Sequence, residues 1–162
     1  MRAIKLPIQR VKSAYVGVNP NISLFTEMEE VCEAHGGLGL AAIQVDCPVR
    51  QAIIKYSCHF DYVSPLGYIW MCDTSYYPRE ISQLTQIVES CLSLPGKRYL
   101  VHRFDSYVVR GNFFNFRTQT LVDKSFIVNK PTPFQHEIDH FNNVLISDIG
   151  IFISAKGVTH EH

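Results

Sequence analysis

His136 and His140 stand four residues apart in Gln135-His136-Glu137-Ile138-Asp139-His140, an H-E-x-x-H pattern. Residues i and i+4 of a helix share a face. The two imidazoles can therefore bind one divalent ion, and Glu137 can reach a water on it. A polar helix whose histidines meet only solvent would show the same pentad. A catalytic site also needs a third protein ligand and an open position for water. Downstream, Asp148, His160, Glu161 and His162 carry donor atoms, but none falls at the metzincin spacing. Upstream, Cys91 ends the apolar-to-polar run Ile87-Val88-Glu89-Ser90-Cys91 and lies near Pro95-Gly96, a setting that suits a thiolate ligand better than a core thiol.

A third stretch, Gly37-Leu38-Gly39-Leu40-Ala41-Ala42-Ile43-Gln44, has small side chains and a backbone open to close approach. An extended peptide could hydrogen-bond to such an edge as an added strand. It is not a dinucleotide fingerprint, because Ala42 stands where the third glycine of G-x-G-x-x-G belongs and no strand precedes it. A tight helix-to-strand connection would read the same way. Gln44 ends the run with an amide that both donates and accepts.

The elements that must position these groups can be read in order. Asn19-Pro20 predicts a helix start, and Gly36-Gly37 its end. Between them Leu24, Met28, Val31, Cys32 and His35 share a face, and Glu27, Glu29, Glu30 and Glu33 form the solvated side. Strands are predicted within 49–56, at 68–72, in one or two pieces over 99–116, and around Leu121 and 126–128. Tyr76-Tyr77-Pro78 and Pro95-Gly96 read as turns. Thr132 is the expected cap of the histidine helix, with Pro133 in its first position and Phe134, Ile138, Phe141 and Leu145 inward. Ile149–Ile153 reads as a last short strand. Within residues 1–18 only Leu6-Pro7-Ile8 reads as extended, and the last residues, with His160 and His162, read as a tail.

The chain has 162 residues, which fits a single domain over 1–162. Hydrophobic residues at 46% and charged residues at 19% argue against disorder. Lys+Arg and Asp+Glu are both 15, so no overall charge draws the chain to nucleic acid. No apolar run is long enough to span a membrane and the N-terminus has no long apolar signal core, so a soluble, intracellular protein is expected. The five cysteines, at 32, 47, 58, 72 and 91, are odd in number and form no C-x-x-C, which argues against a disulfide framework or a zinc ribbon.

Together the three stretches resemble the peptide deformylase family. Gly37 to Gln44 is similar to its first motif at every defined position. Glu89-Ser90-Cys91-Leu92-Ser93 matches the second except at Ser90, where glycine is usual, and Gln135 to His140 matches the third. The resemblance covers most of residues 20–150. It implies an α+β fold with antiparallel strands surrounding a central H-E-x-x-H helix. It also implies hydrolysis of the formyl group from the N-terminal formylmethionine of nascent polypeptides. By position, Cys91, His136 and His140 are the implied metal ligands and Glu137 the general acid/base. Gln44 and the Leu92 N–H are the implied oxyanion donors. The implied substrate-binding set is Gly37, Leu38, Gly39, Glu89, Ser90 and Arg98, with Leu38 and Gly39 pairing with the peptide backbone. The implied metal is Fe(II) in the cell, with Zn(II), Ni(II) or Co(II) in a purified sample. Glu89 and Asp139 read equally as carboxylates that orient ligands or Arg103, or as surface or structural groups.

The chain departs from the family at Ser90, at Asn143, where glycine is usual, and at Lys130-Pro131-Thr132-Pro133, where an apolar helical turn is usual. The prolines predict a late start for the histidine helix and a methionine pocket that is more open or rebuilt by Phe134 and neighbouring strands. Little chain follows Asp148, a compact form similar to bacteriophage-encoded members. A monomer is expected in the cytoplasm of a bacterium or of a phage-infected host, with transient ribosome proximity and no membrane or specific nucleic-acid partner. Two other readings remain at this level: a different H-E-x-x-H peptidase or amidase using Asp148 or a terminal histidine, and a non-catalytic module that binds formylated peptides.

Overall fold

The computed structural model describes residues 21–57 and 60–154. The expectations for residues 1–18 and Asn19-Pro20, and for Cys58, His160, Glu161 and His162, lie outside these residues.

Helix α1 (Ile22–His35) is capped by Asn21, whose side chain accepts from Leu24 N–H at 3.3 Å. The cap therefore falls two residues later than the Asn19-Pro20 signal suggests. Asn21 also takes both ends of the Gln51 amide, which ties the helix start to a strand. Gly36 ends the helix at φ 65°, the left-handed conformation that glycine accepts without strain. Leu24, Met28, Val31 and Cys32 are buried as their spacing predicts and Phe25 is buried beside them, but His35 is exposed and turns back to Val31 O at 2.8 Å. Glu29, expected on the solvated side, is buried and accepts from Ser64 Oγ at 2.6 Å and Trp70 Nε1 at 2.8 Å. Two donors on one carboxylate oxygen offset the cost of burying its charge.

Among the described residues, eight strands follow in two antiparallel sheets. The first has the order β1-β2-β3-β6-β7, from β1 (Gly39–Ala41), β2 (Gln51–Lys55), β3 (Tyr68–Pro78), β6 (Tyr107–Asn115) and β7 (Thr120–Val128). The second has the order β4-β5-β8, from β4 (Leu84–Cys91), β5 (Leu94–Phe104) and β8 (Ile151–Ser154). A 3-10 turn, Ala42–Val45, follows β1. Tyr76-Tyr77-Pro78 continues β3 instead of turning, because Tyr76, Tyr77 and Pro78 pair with Val109, Val108 and Tyr107. Pro95-Gly96 lies within β5. The chain reverses one step earlier, at Leu92-Ser93, so that Cys91 faces Leu94.

Both faces of the larger sheet are covered, which explains why Ala52-Ile53-Ile54 is a continuous apolar run. Ala52 and Ile54 point, with Ile69, Met71 and Phe113, into the cluster under helix α2 (Phe134–Phe141). Ile53 points the other way, with Tyr68, Trp70 and Phe114, toward α1. There Phe25 stacks on Trp70 with ring centroids 5.0 Å apart. Helix α2 starts at Phe134 with Pro133 as its cap residue, one position later than Thr132 predicts. Phe134, Ile138 and Phe141 pack inward; Leu145 is also buried but lies beyond the helix. Asn143, expected inside the helix, sits after it at φ 60°. Left-handed backbone favours glycine there, and asparagine is among the residues that tolerate it best. A short helix, α3 (Ile146–Ile149), precedes β8 and has no counterpart in the sequence reading.

Candidate metal and catalytic site

Cys91 ends β4, while His136 and His140 lie one turn apart on α2. All three are buried, and one donor atom from each lies within 4.8 Å of the others. Cys91 Sγ is 3.7 Å from His140 Nε2. The second ring stands at 76° to the first, with centroids 4.9 Å apart.

His136 is oriented from behind. Its Nδ1 lies 2.8 Å from Glu89 Oε1, and the Glu89 carboxylate also accepts from Arg103 Nε at 2.7 Å and Nη2 at 2.8 Å. Burial by itself would raise the Glu89 carboxyl, but the hydrogen bonds from Arg103 and His136 override it and hold the group well below the usual carboxylate range. An ionised carboxylate only accepts, so His136 carries its proton on Nδ1 and offers Nε2 to the site. Arg103 Nη1 donates on to Asp139 Oδ2 at 2.6 Å, and Asp139 Oδ1 accepts from Tyr76 Oη at 2.7 Å. Gln135 fastens the start of α2 to the end of β5: Phe104 N–H donates to its Oε1 at 3.1 Å, and its Nε2 donates to Phe104 O at 2.8 Å.

Glu137 is fully buried beside the donors, with Oε1 3.9 Å from His140 Nε2. Burial pushes its carboxyl up to about 7. The β1 backbone lies directly against it, since a Cβ on Gly39 would come within 2.6 Å of Glu137 Oε2. Glycine at this position is a requirement of close approach rather than of turn geometry. The Gln44 amide is held at both ends: Oε1 accepts from Ala41 N–H at 2.9 Å, and Nε2 faces Ser93 Oγ at 3.0 Å and Cys91 Sγ at 3.6 Å.

Gln44, Cys91, His136, Glu137 and His140 thus converge, with Gly39 against them and Leu92 in the turn next to Cys91. Gly37 and Leu38 lead into β1, an edge strand of the larger sheet. Glu89 has both oxygens engaged by Arg103 and His136, which puts it behind a histidine rather than along a peptide groove. Ser90 is buried, and Arg98 is half-buried with Nε donating to Ser154 Oγ at 3.0 Å. Asp148 is turned away, its carboxylate accepting from Leu145 N–H at 2.8 Å. Glu89, Asp139 and Arg103 can be picked out from sequence, but two hydroxyls cannot: Tyr76, which looks like part of a turn and donates to Asp139, and Ser93, a motif residue that meets Gln44.

An α+β scaffold on which a thiol and two imidazoles converge beside a buried carboxylate defines the class, a protein with a metal-ligand set. A family model described as polypeptide deformylase matches residues 3–151, and the chain belongs to that family. It is 32% identical over 164 residues to the peptide deformylase of Finegoldia magna, covering 98% of this chain and 94% of that protein. It is 33% identical over 135 residues to that of Chlorobium luteolum, covering 82% and 67%. Among solved structures it resembles a probable peptide deformylase from Synechococcus phage S-SSM7, with TM-score 0.72, 25% identity and coverage of 92% and 99%. It also resembles the Thermotoga maritima enzyme, with TM-score 0.69, 26% identity and coverage of 92% and 97%. Family and fold together support deformylation of nascent peptides. Among the described residues no helix is long and apolar enough to cross a membrane.

Proposed function

We propose that the protein hydrolyses the formyl group of N-formylmethionyl peptides at Cys91, His136, Glu137 and His140. The observation that carries this reading is the approach of the three donor atoms to within 4.8 Å beside the Glu137 carboxylate. One thiolate and two imidazoles suit Fe(II), which we assign in the cell, and equally Zn(II), Ni(II) or Co(II) in a purified sample. Cys91, His136 and His140 would hold the ion. Such an ion supplies Lewis acidity that makes water a nucleophile near neutral pH.

The remaining work falls to the chain itself. Glu137, buried beside the donors, takes the proton from the attacking water and returns it to the leaving amine. The Gln44 Nε2 and the Leu92 N–H stabilise the charge that grows on the formyl oxygen. Gln44 suits this role because Ala41 holds its carbonyl end, which keeps the NH₂ end toward Cys91. The substrate backbone adds as a strand to the open edge of β1 at Gly37, Leu38 and Gly39, with Ser90 and Arg98 flanking it. Glu89 acts through His136. The same reading describes a monomer, one catalytic domain, that meets nascent chains near ribosomes in the cytoplasm of a bacterium or an infected host. Sedimentation of the purified chain as a dimer would remove the monomer from it.

Formate release from formyl-Met-Ala-Ser, measured with fresh Fe(II) and without oxygen, is the direct test. Glu137→Gln should keep its metal and lose turnover; full activity in that variant would exclude Glu137 from the reaction.

A further inference from the structure

Tyr76 takes no part in the reaction proposed above, yet an unbroken run of hydrogen bonds joins it to His136. Its hydroxyl donates to Asp139 at 2.7 Å, Asp139 accepts from Arg103 at 2.6 Å, Arg103 holds Glu89 at 2.7 and 2.8 Å, and Glu89 meets His136 at 2.8 Å. Tyr76 belongs to β3 of the larger sheet, whereas Glu89 and Arg103 belong to β4 and β5 of the smaller one. Edge contacts with Phe104 and Tyr107, at 6.3 and 6.1 Å between centroids, fix the Tyr76 ring.

We propose that Tyr76 is a positioning residue for the ion site, acting through Asp139, Arg103 and Glu89 to set the tautomer and ring angle of His136. One guanidinium here serves two buried carboxylates. Asp139 shares Arg103 only because its second oxygen has the Tyr76 hydroxyl. Without that donor the buried Asp139 charge is under-satisfied and draws Arg103 toward itself. The two-pronged grip on Glu89 then loosens, and with it the contact that aims His136 Nε2. The proposal rests on Cys91, His136 and His140 being the ligand set.

The test uses the zinc-loaded full chain and compares Tyr76→Phe with Tyr107→Phe. Tyr107 is a suitable reference because its hydroxyl, next to Gln135, donates to Lys130 O at 2.7 Å rather than to Asp139. Groups that touch a ligand histidine typically change metal affinity 10–100-fold, so one three contacts further out should speed zinc release to a chelator about fivefold. Solvent exchange of the His136 Nδ1 proton, followed by NMR, should quicken in step. Tyr107→Phe should leave both rates unchanged even where it lowers the melting temperature. Release and exchange within about twofold of the parent in Tyr76→Phe, or equal changes in the two variants, would overturn the role of Tyr76. Zinc held as tightly by Cys91→Ser as by the parent would instead overturn the ligand set itself.

Discussion

The two sheets are held in place by different forces. The larger one buries apolar side chains on both faces, with Ile54, Met71 and Phe113 under α2 and Ile53, Trp70 and Phe114 under α1. The smaller one has a single small apolar cluster of Cys91, Tyr99, Val101 and Ile146, and leaves Leu84, Val88, Ile151 and Ile153 exposed. What fixes it against α2 is polar: Arg103 between Glu89 and Asp139, Glu89 on His136, and Gln135 on Phe104. Charge pairs lock direction as well as distance, whereas apolar contacts tolerate small shifts. The sheet that must aim ligands is therefore the one built from directional contacts, and the sheet that must supply stability is built from packing.

The sharpest way to break this contrast is to remove a donor from the smaller sheet. Cys91→Ser should lower bound metal from about one ion per chain to below about a tenth, and formate release at least ~10³-fold, with the fold kept. Metal analysis and circular dichroism on the same sample check both halves. Next is the charge cluster. Arg103→Met leaves two buried carboxylates without their cation and should cost about 3–5 kcal/mol in urea unfolding. Ile54→Val in the larger sheet should cost only about 1 kcal/mol. Adding Glu89→Gln and Asp139→Asn to Arg103→Met should recover most of the loss; no recovery would mean that the arginine acts through packing.

Gly39→Ala probes the contact between β1 and α2. Its methyl would displace the Glu137 carboxylate, and a displacement near 1 Å should lower kcat about 100-fold without loss of metal. The smallest effect concerns pH. Burial raises the Glu137 carboxyl from 4.5 to about 7, so the folded metal-free chain binds this proton more tightly than the unfolded chain. The stabilisation is complete below pH 4.5 and disappears as pH rises through 7. Metal-free parent should therefore lose roughly 2 kcal/mol relative to Glu137→Gln between pH 5 and 8, as measured by paired denaturant titrations.

Legibility in the sequence followed the range of the interaction. The Gly36 stop of α1, the late start of α2, the strand around Ile53 and the start of the strand at Tyr68 depend on neighbours a few residues away, and they appear within a residue or two of where they are expected. Errors arose where a distant partner outweighed the local signal. Tyr76-Tyr77-Pro78 looks like a turn, but the ladder to Val109, Val108 and Tyr107 extends β3 through it. Glu29 looks solvated, but Ser64 and Trp70, 35 and 41 residues on, draw it inside.

The same division holds at the site. A helical repeat of 3.6 residues by itself aligns His136 with His140 and sets Glu137 beside them, and the glycines of the first motif leave room for a close approach to Gly39. Only the folded chain brings Cys91 to His140 across 49 residues, and Glu89 to His136 across 47. It alone decides that Arg103 serves both Glu89 and Asp139 and that a tyrosine from the other sheet completes the set. Periodicity is a property of the local backbone, whereas strand register and the sharing of a buried charge depend on every element that closes around them.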